Sequence, residues 1–262
     1  MIKIIVCIKQ VPEKTEVGWD PETGTLKRET IPGILNPNDK YALEAALQLR
    51  EKQGGAITAL SMGPPQAEEA LREAMSMGVD GAVLLSDRAF AGADTWATAY
   101  LLSLAVRKMG SYDLILCGKE SADGMTGHIG PQLAEFLDLP QLTYAVDIKL
   151  HDHSVRIKQR LEDGFRILES PLPALVTVER GINQPRIPPM DQVMKAYRKD
   201  LLHWGVKDMG GNEELFGLRG SPTQTRRVYI QKMERRKGRF LEGDVRETAH
   251  QLIQILKQKD LI

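Results

Sequence analysis

Apolar runs alternate with amphipathic segments over the first half of the chain. The runs are residues 2–8, 57–61, 82–85 and 114–117. Mainly apolar runs of this length are typical of parallel strands covered on both faces. The segments between them repeat apolar residues at helical spacing. These helices are predicted to begin near Asn36, Pro64, Asp94 and Gly127. Four strand–helix units predict an α/β fold with an open, mostly parallel, doubly wound sheet.

The pattern changes after Pro140, where shorter strands separated by turns replace the strand–helix units. The predicted strands are residues 142–150, 155–161, 165–168 and 174–179. The turn His151-Asp152-His153 separates the first two. We expect these strands to extend the sheet in an antiparallel sense.

Residues 183–243 lack sustained periodicity and are rich in proline and glycine. A compact domain rarely contains so long an irregular stretch, so it is predicted to be an extended arm lying on another protein. It carries a basic cluster, Arg226, Arg227, Lys232, Arg235, Arg236, Lys237 and Arg239. A last helix has Val245, Ala249, Leu252, Ile253 and Leu256 on one face, which a partner chain could bury. The predicted domains are therefore a nucleotide-binding domain, residues 1–182, and an arm with a C-terminal helix, residues 183–262.

Composition excludes several classes of protein. The 262 residues include 35 basic and 35 acidic side chains, so no overall charge favours nucleic acid or an anionic membrane. No apolar stretch approaches the roughly 20 residues of a membrane span. Cys7 and Cys117 both fall in predicted buried strands, which favours core thiols over a disulfide. We expect a soluble cytoplasmic protein, associated with membranes only through partner subunits.

Residues 112–139 contain a predicted strand, a turn rich in glycine and hydroxyl groups, and the start of a helix. The first turn of a helix has free backbone N–H groups and a dipole that favours anions. Glycines allow the backbone to approach a phosphate, and hydroxyls can donate to it. The residues concerned are Gly124, Gly127, Gly130, Ser121 and Thr126. The segment predicts a nucleotide site.

The common catalytic motifs are missing from the sequence. The chain has no Gly-x-Gly-x-x-Gly after the first strand, no Gly-x-x-x-x-Gly-Lys-[Ser/Thr], no Cys-x-x-Cys and no His-Glu-x-x-His. His151 and His153 fit a hairpin turn better than a metal site. Hydrolysis and phosphoryl transfer therefore have little support.

Three predicted loops follow the carboxyl ends of strands, where an open α/β sheet binds its ligand. They contain Cys7-Ile8-Lys9, Met62 and residues 118–130. Asn36–Asp39 could join them, because an asparagine amide can read adenine, although a helix cap is the simpler interpretation.

Three charged side chains near these loops have alternative roles. A carboxylate repels phosphate, so Asp123 is expected to cap the helix or bind a ribose hydroxyl. Lys9 and Lys119 could neutralise phosphate or be solvated surface charges.

Several motifs resemble the electron-transfer flavoprotein β subunit. They are Val6-Cys7-Ile8-Lys9-Gln10-Val11-Pro12, Asn36-Pro37-Asn38-Asp39, Ser61-Met62-Gly63-Pro64, Ala74-Met75-Ser76-Met77-Gly78, Leu116-Cys117-Gly118-Lys119, Pro171-Leu172-Pro173-Ala174-Leu175-Val176-Thr177 and Asn183-Gln184-Pro185-Arg186. The resemblance runs from residue 1 to about residue 200. It implies an adenine-nucleotide α-hydrolase-like fold and a heterodimer with an α subunit that carries a redox-active FAD.

In that family the β subunit binds AMP in simple carriers and a second FAD in electron-bifurcating relatives. The resemblance places the cofactor against residues of four segments. They are Cys7, Ile8, Lys9, Asn36, Asp39, Met62, Asp123, Gly124, Met125, Thr126, Gly127, His128, Ile129, Gly130, Pro131 and Gln132. The family motif continues to Ala134.

The loop variant favours FAD over AMP. FAD-bearing relatives resemble Asp-Gly-x-Thr-x-x-x-Gly-Pro, found here from Asp123 to Pro131. Asp94 and Thr95 also resemble that branch and would lie near the isoalloxazine, with a plain helix cap as the alternative for Asp94. Met125 and His128 depart from the relatives and could retune a flavin potential.

Residues 188–199 resemble the family's recognition loop for a partner dehydrogenase or a quinone-linked protein. Met190 takes the place of its apolar anchor, with Val193 and Met194 nearby. The leading hypothesis is a β subunit that carries FAD and takes part in bifurcation from NADH to a high-potential and a low-potential acceptor, ferredoxin being a candidate for the latter. No side chain is expected to be catalytic, since the flavin does the chemistry.

Two rival hypotheses remain open at this point. One is a non-bifurcating carrier subunit with a structural AMP. The other is a nucleotide-sensing or nucleotide-hydrolysing α/β protein of similar topology, which the missing P-loop and the long arm disfavour.

Overall fold

Thirteen strands and seven α-helices are described in the computed structural model, which covers residues 1–13, 19–20, 25–26, 32–223, 238 and 240–262. The strands are β1 (Ile2–Cys7), β2 (Gln10–Pro12), β3 (Trp19–Asp20), β4 (Thr25–Leu26), β5 (Gly33–Leu35), β6 (Gly55–Met62), β7 (Gly81–Leu85), β8 (Leu114–Gly118), β9 (Gln141–His151), β10 (Ser154–Arg160), β11 (Phe165–Pro171), β12 (Ala174–Val178) and β13 (Leu202–Trp204). The helices are α1 (Pro37–Gln53), α2 (Glu68–Met77), α3 (Thr95–Met109), α4 (Ile129–Leu137), α5 (Met190–Arg198), α6 (Val206–Met209) and α7 (Val245–Gln258).

Nine strands form the main sheet in the order β11-β10-β9-β12-β8-β1-β6-β7-β13. The four predicted strand–helix units are confirmed, with β1, β6, β7 and β8 parallel at its centre. Leu43 of α1 and Leu71 of α2 pack on one face of the sheet. Leu101 of α3 and Leu133 of α4 pack on the other. Helices on both faces confirm the doubly wound architecture.

The predicted antiparallel pairing is found among β9, β10 and β11 but not for β12. β10 pairs antiparallel with β9 and β11, as expected. β12, however, is parallel to both β8 and β9. The reason is visible in burial: all five residues of β12 are buried, as in a parallel strand covered on both faces.

Residues 183–223 are less irregular than the sequence pattern indicated. β13 pairs parallel with β7 and adds a ninth strand to the sheet. Met209 and Phe216 are buried in the hydrophobic cluster below α3. Three-residue strands and single anchors carry no periodicity, which explains why the pattern failed to indicate them.

Residues 1–226 form one compact unit and residues 227–262 a second. The predicted division after residue 182 thus falls inside the first unit. In the second, α7 confirms the predicted last helix, and no α7 side chain is buried. The basic cluster from Arg226 to Arg239 lies outside the described residues. Among the residues that are described, no helix is long and apolar enough to cross a membrane.

Candidate functional site

The site is built at the carboxyl edge of the sheet, where the connections from β1 and β8 leave for opposite faces. α1 follows β1 on one face and α4 follows β8 on the other. Cys7 and Cys117 stand in register at the ends of these two strands, and both are buried free thiols. A crevice of this kind is where open α/β sheets bind ligands.

The loop after β8 is held by the asparagines at the start of α1. The Asn36 amide donates to Glu120 O at 3.0 Å and accepts from Ala122 N at 3.1 Å. Asn38 donates to the same Glu120 carbonyl at 2.8 Å. Asn36 is 1% exposed. Its amide therefore supports the loop and makes no side-chain cap on α1, so the cap interpretation is wrong, while the adenine contact stays a prediction.

Asp39 lies beneath the loop and is buried. It accepts hydrogen bonds from Lys9 N at 2.8 Å, from the Gly118 backbone and from Asn36. Burial outweighs these bonds and raises the pKa of Asp39 to about 7. A Cβ on Gly118 would stand 2.4 Å from Asp39 Oδ1 and 2.8 Å from Asn38 C. Only glycine therefore allows this close crossing of α1 and β8.

The raised pKa of Asp39 predicts a pH-dependent stability. The folded state binds a proton that the unfolded carboxyl releases near 3.8. Its contribution is complete below that pH and is lost as the pH rises to about 7, at up to about 1.4 kcal/mol per pH unit. Urea unfolding of the wild type and Asp39→Asn between pH 4.5 and 8 would measure it. We expect the free energy of unfolding of the wild type, relative to that of Asp39→Asn, to fall as the pH rises. A difference between the two that is independent of pH would contradict the raised pKa of Asp39.

Asp123 pairs with Lys9, whose Nζ lies 2.7 Å from Asp123 Oδ2. Helix capping by Asp123 is wrong, because the N-cap of α4 is His128, five residues later. Lys9 therefore meets a carboxylate across the crevice. Lys119 lies 3.5 Å from Glu179 on the far side of β8. Neither lysine is simply a solvated surface charge.

The turn expected to hold phosphate runs from Ser121 to His128. Met125 N donates to Ser121 O at 2.8 Å, and Met125 and Gly127 both adopt positive φ, 48° and 65°. Met125 is 69% exposed, and Thr126 and His128 are also exposed. The side chains of this turn therefore face solvent, and its phosphate-binding role stays a prediction.

The first turn of α4 begins without a side-chain cap from its N-cap residue, His128. Pro131 has no N–H, which suits this position. Gln132 Oε1 is buried and finds no partner within the described part of the chain. An unpartnered acceptor oxygen near the start of a helix fits a ligand group that donates a hydrogen bond, such as a hydroxyl, rather than an anion.

Gly130 brings α4 onto the sheet. A Cβ there would lie 2.5 Å from Thr177 Cγ2 and 3.4 Å from Leu175 Cδ2. Thr177 Oγ1 in turn accepts from Tyr144 N at 3.1 Å. The helix start is thereby fixed against β12.

Asp94 is a helix cap, which confirms the simpler of its two interpretations. Oδ1 accepts from Ala97 N at 3.0 Å, and Oδ2 accepts from Thr223 N and Oγ1 at 3.0 and 2.8 Å. Partial burial opposes ionisation, but these bonds prevail and keep the pKa of Asp94 below its usual value. Thr95 begins α3 beside it, and Met62 ends β6, half-buried.

Sequence reasoning missed several supporting residues. Asn38 holds the loop after β8, and Thr177 lies against Gly130 at the start of α4. Thr223 donates to the Asp94 cap. Tyr144, at positive φ, lies 5.3 Å below Lys119 Nζ. The repeated asparagine in Asn-Pro-Asn-Asp was the one available signal for Asn38, and the others depend on contacts distant in sequence.

The predicted partner loop forms α5. Met190 and Met194 are 74% and 54% exposed, and Val193 is half-buried. The residues predicted from sequence thus divide into a crevice at the carboxyl edge and a separate apolar helix surface.

The fold is that of a doubly wound α/β protein, with a crevice at the carboxyl edge of its sheet. The sequence profile of the electron transfer flavoprotein domain matches residues 23–209. The chain belongs to the electron-transfer flavoprotein family. Within that family it is a β subunit, and it takes part in electron transfer.

Three relatives illustrate the likeness. The electron transfer flavoprotein subunit beta of Thermoanaerobacterium thermosaccharolyticum is 44% identical over the full length of both chains. The caffeyl-CoA reductase-Etf complex subunit CarD of Acetobacterium woodii is 43% identical, again over both full lengths. Protein FixA of Azorhizobium caulinodans is 42% identical over 94% of this chain and 90% of the relative.

Proposed function

We propose that this chain is the β subunit of a heterodimeric electron-transfer flavoprotein, that it binds FAD at the crevice, and that it takes part in bifurcation of electrons from NADH to a high-potential and a low-potential acceptor. The observation that carries the FAD assignment is the Asp-Gly-Met-Thr turn leading into the uncapped start of α4. Full-length similarity to CarD of a reductase-Etf complex supports the electron-transfer context.

The residues present fit a dinucleotide. The Gly124–Gly127 turn and the first turn of α4 would hold the phosphates, and Gln132 Oε1 offers an unused acceptor. When bound, FAD supplies hydride acceptance and one-electron transfer. The chain's part is to orient it and to set its electrostatics, with the Lys9–Asp123 pair as the charged group nearest the loop.

A structural AMP is the alternative ligand. It would use the same phosphate turn, and the Asp94 carboxylate is fully engaged by α3 and Thr223 in either case. The Asp-Gly-x-Thr variant of the turn favours FAD, and the side chains of Met125 and Thr126 in it are exposed.

The partners follow from the same proposal. An α subunit carrying the second flavin completes the heterodimer. The exposed methionines of α5 would meet a dehydrogenase, and CarD's complex makes a CoA-thioester enzyme the first class to test. A quinone-linked oxidoreductase is the other class, and a ferredoxin would take the low-potential electron. We propose that the complex works in the cytoplasm and reaches membranes only through its partners.

The deciding measurement is made on the chain co-purified with its α partner. Acid release followed by mass spectrometry and absorbance counts FAD and AMP per heterodimer. We expect two FAD and no AMP. One FAD with one AMP would leave a single-flavin carrier and remove the basis for bifurcation.

A second experiment tests bifurcation itself. NADH is added to the heterodimer with a high-potential dehydrogenase acceptor, a ferredoxin, or both. Reduction of ferredoxin only when both acceptors are present would support coupling. Ferredoxin reduction that is absent under every condition would contradict it.

A further inference from the structure

α5 is too short to be stable without support. It has nine residues, whereas isolated helices below about 12 residues are marginal in water. Pro189 at its N-cap makes no side-chain cap bond to the residues described. Ala196 is the residue of α5 that is fully buried. Its conformation therefore depends on what α2 provides.

Arg72 of α2 supports the end of α5. Its Nη1 donates to Ala196 O at 2.7 Å and to Lys199 O at 2.6 Å. The last carbonyls of a helix have no partner within the helix, and an arginine there also complements the helix dipole. Arg72 thus acts as a C-terminal cap supplied by another helix.

Arg72 is itself fixed in place. Its Nε and Nη2 donate to Glu68 Oε1 at 3.0 and 2.8 Å, and its side chain is largely buried. The Tyr197 ring stands 5.9 Å from the guanidinium, and its hydroxyl donates to Glu69 Oε2 at 2.6 Å. Because α2 packs in the core, these contacts tie α5 to the rigid sheet.

We infer that Arg72 is a positioning residue for partner docking: it holds α5 preformed, so that Met190 and Met194 are presented together to an apolar groove on the partner dehydrogenase. The inference rests on the proposed partner role of α5. An amphipathic helix that binds in a groove gains affinity when it is already ordered, because the free energy of binding then no longer includes the entropy lost on ordering the helix.

The experiment compares heterodimers carrying Arg72→Gln, Met190→Ser and Arg50→Gln. Arg50 is a matched control, because it also donates to a carbonyl at a helix end, Gly78 O at 2.8 Å, and to Asp80 Oδ2 at 2.9 Å, but to no residue of α5. The probe is a purified acyl-CoA dehydrogenase, and a small redox dye reports electron transfer that needs no docking. The readouts are KM for the dehydrogenase, kcat and the dye rate.

We expect Arg72→Gln to raise KM by about tenfold, with kcat and the dye rate within about twofold of wild type. Arg72→Lys keeps the positive charge but not the forked guanidinium, so its KM should lie between those of the wild type and Arg72→Gln. If the glutamine variant does not assemble, the lysine variant serves as the test. Arg50→Gln should leave KM unchanged.

Two other outcomes would distinguish the positioning role of Arg72 from the partner role of α5. An increased KM in Met190→Ser with a normal KM in both Arg72 variants would overturn the positioning role and keep the docking helix. A normal KM in Met190→Ser as well would remove the proposed partner role of α5.

Discussion

Arg186→Gln is expected to lower the free energy of unfolding by about 2–3 kcal/mol. Arg186 Nε and Nη2 lie 2.8 and 3.0 Å from the two oxygens of Glu44, whose side chain is 5% exposed. Removing one partner of a buried pair typically costs about 3–5 kcal/mol. The guanidinium is partly solvated, which reduces that value. Urea unfolding at neutral pH measures it.

A matched control lies on the same arginine. Arg186 Nη1 also contacts Glu51 Oε1 at 2.6 Å, but Glu51 is half-exposed. Glu51→Gln should therefore cost less than about 0.5 kcal/mol. Equal losses for Glu51→Gln and Arg186→Gln would show that the buried carboxylate is not the cause.

The same pair predicts a pH signature. Burial disfavours the Glu44 carboxylate, but the bonds from Arg186 prevail and keep the pKa of Glu44 below its usual value. Its stabilising contribution is present above the unfolded pKa, about 4.3, and is lost as the pH falls further. The difference in the free energy of unfolding between wild type and Arg186→Gln should become smaller at acidic pH. Arg186→Gln/Glu44→Gln should recover part of the loss at pH 7.

The sequence was sufficient for the central fold because its signals are local. Continuous apolar runs and helical stripes predicted β1, β6, β7 and β8 with their helices, each within a few residues. Strand direction is not local. β12 was placed antiparallel, although its mainly apolar run Ala174–Val178 could have indicated a parallel strand covered on both faces.

The site was predicted at the level of segments and less well at the level of atoms. The turn at Gly124–Gly127 and the open start of α4 lie where the pattern placed them. Asn36, Asp94 and Asp123 each have at least one hydrogen-bond partner 84 or more residues away along the chain. No spacing rule covers such contacts, so residue types alone left their roles open.

Gly130→Ala is expected to cause the largest functional loss at the crevice. The new Cβ would overlap Thr177 Cγ2, and α4 would have to move off β12. Overpacking of this kind costs about 1–3 kcal/mol. Displacing the helix start misplaces the N–H groups proposed to hold phosphate, so nucleotide retained per purified heterodimer should fall at least about tenfold, as each 1.4 kcal/mol is tenfold.

A rescue variant makes the cause testable. Thr177→Ser removes the methyl group that Cβ would meet, yet it keeps the hydroxyl that accepts from Tyr144 N. Gly130→Ala/Thr177→Ser should therefore regain most of the nucleotide, whereas Gly164→Ala, where a Cβ meets nothing within 4 Å, should behave as wild type. If Gly130→Ala loses nucleotide and Thr177→Ser does not restore it, displacement of the start of α4 from β12 is not the cause of the loss. If Gly130→Ala keeps its nucleotide while its stability drops, the phosphates are held elsewhere in the crevice, and the binding role assigned to the start of α4 is lost.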